Sequence, residues 1–152
     1  MGTELPSFEG ATEWINGSEE SAKDLTGKPT LVHFWSVNCG VCSQNLPQIT
    51  AWRDEQKDNL RVVAVHMPRY EADADLEKVR HAAEKYNITE PCAVDNLHKL
   101  KNAFQNPQGF VPAYYLFDGD GKLKSFAAGE RGFGLLKAAL ERLLNSAATA
   151  TV

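Results

Sequence analysis

"WSVNCGVCSQNLPQI", residues 35–49, holds two of the chain's three cysteines, with only Gly40 and Val41 between them. It follows "TLVHFW" (30–35), an apolar run rich in strand formers and bounded upstream by Gly27-Lys28-Pro29, which predicts a buried strand. Beyond the cysteines, Val41, Leu46, Ile49 and Trp52 predict an amphipathic helix to about Asp58, with Pro47 as an expected kink. Cys39 therefore falls between strand and helix, and Cys42 falls in the first helical turn. The unpaired N–H groups and the dipole at that end favour negative charge. A thiol placed there ionises below its usual pKa of ~8.5 and becomes a nucleophile near neutral pH. The short spacer lets the second sulfur reach back and resolve a mixed disulfide.

Other uses of paired cysteines fit less well. A structural zinc site needs four ligands, but there is no second CxxC, and His33, His66, His81 and His98 lie at no ligand spacing. A c-type haem needs His directly after the second cysteine, where Ser43 stands. Two inert buried thiols remain the plain alternative, which the strand-to-helix placement argues against. No metal and no cofactor is called for. Cys92, alone after Pro91, reads as a small buried filler, with a regulatory or peroxidatic thiol as the sharper reading.

The 152 residues fit one domain with a substantial core. A formal charge of -4 and scattered basic residues give no footprint for nucleic acid. No apolar run reaches the ~18 residues of a membrane span. The start, "MGTELPSFEG", shows no export signal, so the expected location is cytoplasmic; a trimmed leader would instead mean export or membrane anchoring. Three cysteines can close at most one pair, which suits a reducing compartment or a working redox pair.

After a loose start (1–24), the pattern continues with strand 60–67, helix 73–87, a short "CAVD" (92–95) and helix 96–104. "AYYLFDGDGKLKSFAAG" (113–129) reads as a hairpin around Asp-Gly-Asp-Gly, where Lys122 argues against a calcium loop. A helix over 134–144 and a flexible tail over 146–152 close the chain. Early alternation implies parallel strands with crossover helices, and the hairpin adds antiparallel neighbours. The fold class is α/β: a mixed central sheet with helices on both faces.

"FWSVNCGVC", Pro47 and "FVPAYYLF" together resemble the thioredoxin superfamily, and more narrowly the TlpA/ResA-like thiol-disulfide oxidoreductases. The resemblance runs from "LTGKPTLVHFW" to the last helix. It implies a thioredoxin-like fold with a helical insertion over about 70–104, between the second strand and the hairpin. It implies Cys39 as attacking and Cys42 as resolving cysteine, and a cis Val111–Pro112 bond whose loop faces them. The exposed backbone of Val111 would then pair with an extended substrate segment. Partners implied are proteins bearing cysteines or disulfides and an upstream redox partner, met by a monomer; the start without an export signal favours the reductant direction. A peroxiredoxin-like thiol peroxidase is the alternative; Ser36 suits its motif, but no proline stands at the required distance.

Two departures from the pattern matter. His33 stands six residues before Cys39, where thioredoxins carry Asp. Sharing a strand face with Trp35, it either accepts the proton of Cys42 or is a neutral core histidine. Asn38 replaces the usual Trp before the first cysteine, altering the rim on which partners rest; Asn38 and Trp35 join Val111 and Pro112 as expected substrate-contacting residues. After the second strand, Arg69 and Glu71 stand near the place where ResA-like proteins often carry Glu.

Overall fold

β2 (Thr30–Trp35) is buried at all six positions, because it lies mid-sheet with side chains covered on both faces. The computed structural model describes residues 4–18, 27–37, 39–106 and 109–150, apart from the side chains of 130, 131 and 146–150. Around β2 stand β1 (Glu13–Ile15), β3 (Arg61–His66), β4 (Cys92–Val94), β5 (Ala113–Phe117) and β6 (Leu123–Ala128). Their order across the sheet is β1-β4-β3-β2-β5-β6. β2, β3 and β4 run parallel, while β1, β5 and β6 pair antiparallel with their neighbours.

The helices are α1 (Gly40–Glu55), α2 (Leu76–Lys85), α3 (Lys99–Ala103) and α4 (Gly129–Ala150). α1 and α2 are the crossovers that parallel strands require. One sheet face packs Leu31, Trp35, Val62 and Ala64 against α1, α2 and α4, through Leu46, Ile49, Val79, Ala83, Leu136 and Leu140. The other packs Val32, Phe34, Val63 and Val65 against Leu100 and Phe104 at α3 and Phe8 of the N-terminal segment. The mixed sheet with helices on both faces stands as expected.

Several boundaries differ for physical reasons. Of the start expected as loose (1–24), residues 4–18 are ordered into the fold: Glu4 bridges Lys122, Phe8 enters the core, and β1 extends the sheet beside β4; residues 1–3 and 19–24 lie outside the described residues. α1 runs through Pro47 as expected, with the Thr50 hydroxyl donating to the Pro47 carbonyl, but ends at Glu55 rather than about Asp58. The helix expected from 73 begins at Leu76, because Asp75 is extended and caps Glu77 N–H, leaving a separate 3-10 turn over Glu71–Ala74. α3 begins late because His98 has φ of 58° and the Asp95 carboxylate takes the N–H groups of Leu100 and Lys101. The stretch 70–104 is not wholly helical, since it supplies β4. α4 continues to Ala150, through most of the segment expected as a tail.

Removing a central side chain tests this two-sided burial. Leu31→Ala should lower the unfolding free energy in urea by about 2–5 kcal/mol, the cost of a cavity at a fully enclosed leucine.

Candidate active site

Cys39 is the cap of α1: its backbone is extended (φ -114°, ψ 104°) and its sulfur accepts the Cys42 N–H at 3.1 Å. The same two residues form a disulfide with their Cα atoms 5.2 Å apart. Cysteine thus does here what Ser or Asp does at an ordinary helix start, offering an acceptor to an otherwise unpaired amide. Gly40 is exposed beside it, while both cysteines are buried and pack with Trp35, Leu46 and Cys92.

The loop between β2 and α1 is fastened at successive residues. Trp35 O accepts Met67 N–H at 2.9 Å, and Ser36 O accepts Cys39 N–H at 3.2 Å. The Ser36 hydroxyl reaches Asp73 Oδ2 at 3.4 Å, and Val37 N–H donates to His66 Nε2 at 3.2 Å. Asp73 is itself buried and also accepts the N–H groups of Arg69 and Tyr70. Sequence reasoning passed over Ser36, His66 and Asp73 as a set. The available signal was a histidine ending a buried strand at the carboxyl edge of parallel strands, where α/β proteins place their sites.

The expected site residues fare differently. The Val111–Pro112 bond is cis, and Val111 packs against the cluster that contains both cysteines. Asn106 holds the approach to it, taking Phe110 N–H on Oδ1 and donating from Nδ2 to Phe110 O, each at 3.0 Å. Trp35 is corrected: its ring is only 1% exposed and meets His66 edge-on, so it supports the site from below and cannot touch a substrate. Asn38 lies outside the described residues. Arg69 and Glu71 are exposed, and the Arg69 guanidinium lies over the Tyr70 ring.

His33 is buried on β2, with Nε2 at 2.6 Å from Glu90 Oε2; Glu90 Oε1 in turn meets Arg53 at 2.6 Å. Burial alone would raise the Glu90 carboxyl, but the bonds from His33 and Arg53 hold it below the ordinary carboxylate range. Burial pushes the Cys92 thiol up to about 12, which fits the filler reading. Asp118 Oδ1 accepts the N–H groups of Asp120 and Lys122, so the Asp-Gly-Asp-Gly stretch is a turn. Among the described residues, no helix is long and apolar enough to cross a membrane.

Residues 1–126 match the AhpC/TSA family. The chain is 43% identical to the thiol-disulfide oxidoreductase YkuV of Bacillus subtilis over 140 residues, which is 92% of this chain and 93% of that protein. It is 25% identical to the thiol-disulfide oxidoreductase ResA of Bacillus cereus over 143 residues, covering 94% of this chain and 78% of that one. Among solved structures, a thioredoxin-like protein in its oxidised form superposes with a TM-score of 0.86 at 41% identity, covering 95% of this chain and 97% of the other.

The buried histidine gives a dependence on acidity. Burial lowers His66 from 6.5 to about 4, partly offset by nearby Asp73. Between those values the unfolded chain binds a proton that the folded one does not. Stability is therefore complete above the unfolded value and is lost as pH falls toward 4, by about 3 kcal/mol. Urea midpoints measured from pH 7.5 to 4.5 should fall steadily, and His66→Gln should flatten the fall. A wild-type midpoint independent of pH would contradict the assignment.

Proposed function

The chain belongs to the AhpC/TSA family and is a thiol-disulfide oxidoreductase, and from that premise we propose that Cys39 and Cys42 are its redox pair and that it reduces protein disulfides. The observation that carries the assignment is the Cys42 N–H directed at Cys39 Sγ at 3.1 Å. In the reduced protein that donor, with the start of α1 behind it, stabilises a thiolate on Cys39.

The Cys39 thiolate attacks one sulfur of a substrate disulfide, and the other sulfur leaves as a thiolate and takes a proton from water. Cys42 then gives up its proton and attacks Cys39 Sγ. The Cys39–Cys42 bond forms, the mixed disulfide breaks, and the substrate departs as a dithiol carrying two electrons from the pair. An upstream dithiol restores the starting state. Reduction is the direction assigned because one amide and a helix dipole stabilise the thiolate only moderately, leaving the dithiol able to donate.

His33 is the proposed acceptor of the Cys42 proton. Its support is Glu90, whose carboxylate at 2.6 Å supplies a counter-charge to an imidazolium formed there. Substrate proteins are proposed to lie against Val111 and Pro112, pairing with the Val111 backbone. The exposed apolar side chains Tyr70, Leu97 and Phe110 stand on loops at the same end of the sheet, which supports a protein rather than a small molecule as partner. The pair needs no residue from a second copy, so the working unit proposed is a monomer. The sparing use of cysteine supports a reducing, cytoplasmic setting. The peroxidase alternative gains nothing further, since the relatives named above are oxidoreductases of disulfides.

Cys39→Ser should abolish turnover in a coupled disulfide-reduction assay, while Cys42→Ser should accumulate a mixed disulfide visible by mass spectrometry. Full turnover by Cys39→Ser would defeat the assignment. His33→Ala should slow release of the mixed disulfide by ~10²-fold or more, leaving alkylation of Cys39 unchanged. Equal rates of release in the two proteins would remove His33 from the reaction.

A further inference from the structure

His66 ends β3 opposite Trp35, the last residue of β2, and is wholly buried. There the parallel ladder stops. Met67 N–H still reaches Trp35 O, but Pro68 follows and the chain turns away toward the 3-10 turn. The next donor on the β2 side is Val37 N–H, already part of the loop that leads into Cys39. Without a backbone acceptor in line, it is met by a side chain, His66 Nε2, at 3.2 Å. The imidazole is held edge-on to the Trp35 ring, with centroids 4.8 Å apart. Only a deprotonated Nε2 can accept, so the ring must be the neutral tautomer with its proton on Nδ1. Nδ1 itself has no partner among the described residues, and the Val37 contact is the hydrogen bond that Nε2 accepts. A buried polar ring with half its capacity unused is costly to keep, and a plain apolar residue would fill the core without that cost.

We propose that His66 is a positioning residue for the exchange reaction: by accepting the Val37 N–H it holds the β2–α1 loop so that Cys39 stays seated as the cap of α1. The inference rests on Cys39 being the attacking sulfur. Loss of the acceptor leaves Val37 N–H unpaired at a half-buried position and frees the loop two residues before Cys39. The sulfur then spends part of its time away from the Cys42 amide, and the thiolate loses its donor. Ser36 and Asp73 hold the neighbouring residue through a longer contact of 3.4 Å and cannot supply that acceptor.

The test uses reduced full-length protein and iodoacetamide, with alkylation of Cys39 followed by mass spectrometry across pH. His66→Phe keeps an aromatic ring against Trp35 without an acceptor; His66→Gln can return an acceptor oxygen near the place of Nε2. His66→Phe should alkylate at pH 7 about threefold to tenfold more slowly, the worth of one hydrogen bond, with its pH midpoint moved upward. His66→Gln should recover most of the wild-type profile. A His66→Phe profile identical to wild type would overturn the inference, as would equal slowing in both variants, since ring packing rather than the acceptor would then be responsible. If His66→Phe does not fold, nitrogen-15 spectra of the wild-type imidazole decide: a proton on Nδ1 supports the proposal, and one on Nε2 ends it. A wild-type Cys39 that reacts only in strongly alkaline solution would remove the nucleophile assignment and this inference together; a change confined to the variants bears on His66 alone.

Discussion

The amide of Cys42 needs an acceptor, and the sulfur of Cys39 supplies it. Most of the chemistry depends on that pairing, because a helix start leaves donors that must be satisfied and a cysteine at the cap meets them with a group that can carry charge. The rest of the fold serves to keep the sulfur there. β2 ends at Trp35 and α1 begins at Gly40, so only a short loop spans the change of geometry. That loop is fastened from β3 by His66, from the 3-10 turn by Asp73, and within itself by Ser36 and Cys39.

Beneath the site, the two faces of β2 divide the labour. The face shared by Leu31, His33 and Trp35 meets α1 and its neighbours, so anything that shifts α1 shifts the cysteines. The other face closes on Phe8, Leu100 and Phe104 and involves neither Cys39 nor Cys42. Glu90 links His33 to the half-buried Arg53, joining β2, the lead-in to β4 and the later turns of α1. Such chains contribute little net stability over an apolar replacement, yet losing one member strands a charge in the core. Its value lies in fixing how α1 sits on the sheet and in giving His33 a charged partner.

Much of this was legible in the residues. The apolar run 30–35, the cysteine spacing and the Asp-Gly-Asp-Gly turn are local signals, and each appeared where expected. Cys92 as a buried filler follows from residue type alone. β1 was not legible, because three residues of mixed polarity make a strand only by pairing with β4, a partner 79 positions away at Trp14 and Ala93. Trp35 was expected in a buried strand and also against substrate; at 1% exposed it keeps only the first, because alternation tells which residues share a face, not how far the end of that face opens to the outside. The partner of His33 and the loop contacts of His66 and Asp73 join residues far apart in the chain, and no periodicity encodes them.

The most direct measurement is ultraviolet titration of the Cys39 thiolate in the reduced protein, with Cys42→Ser used to assign the signal. The account predicts a midpoint clearly below the ~8.5 of an ordinary thiol. A midpoint at or above that value would contradict it, since the start of α1 would then confer no charge stabilisation on the sulfur it was built around.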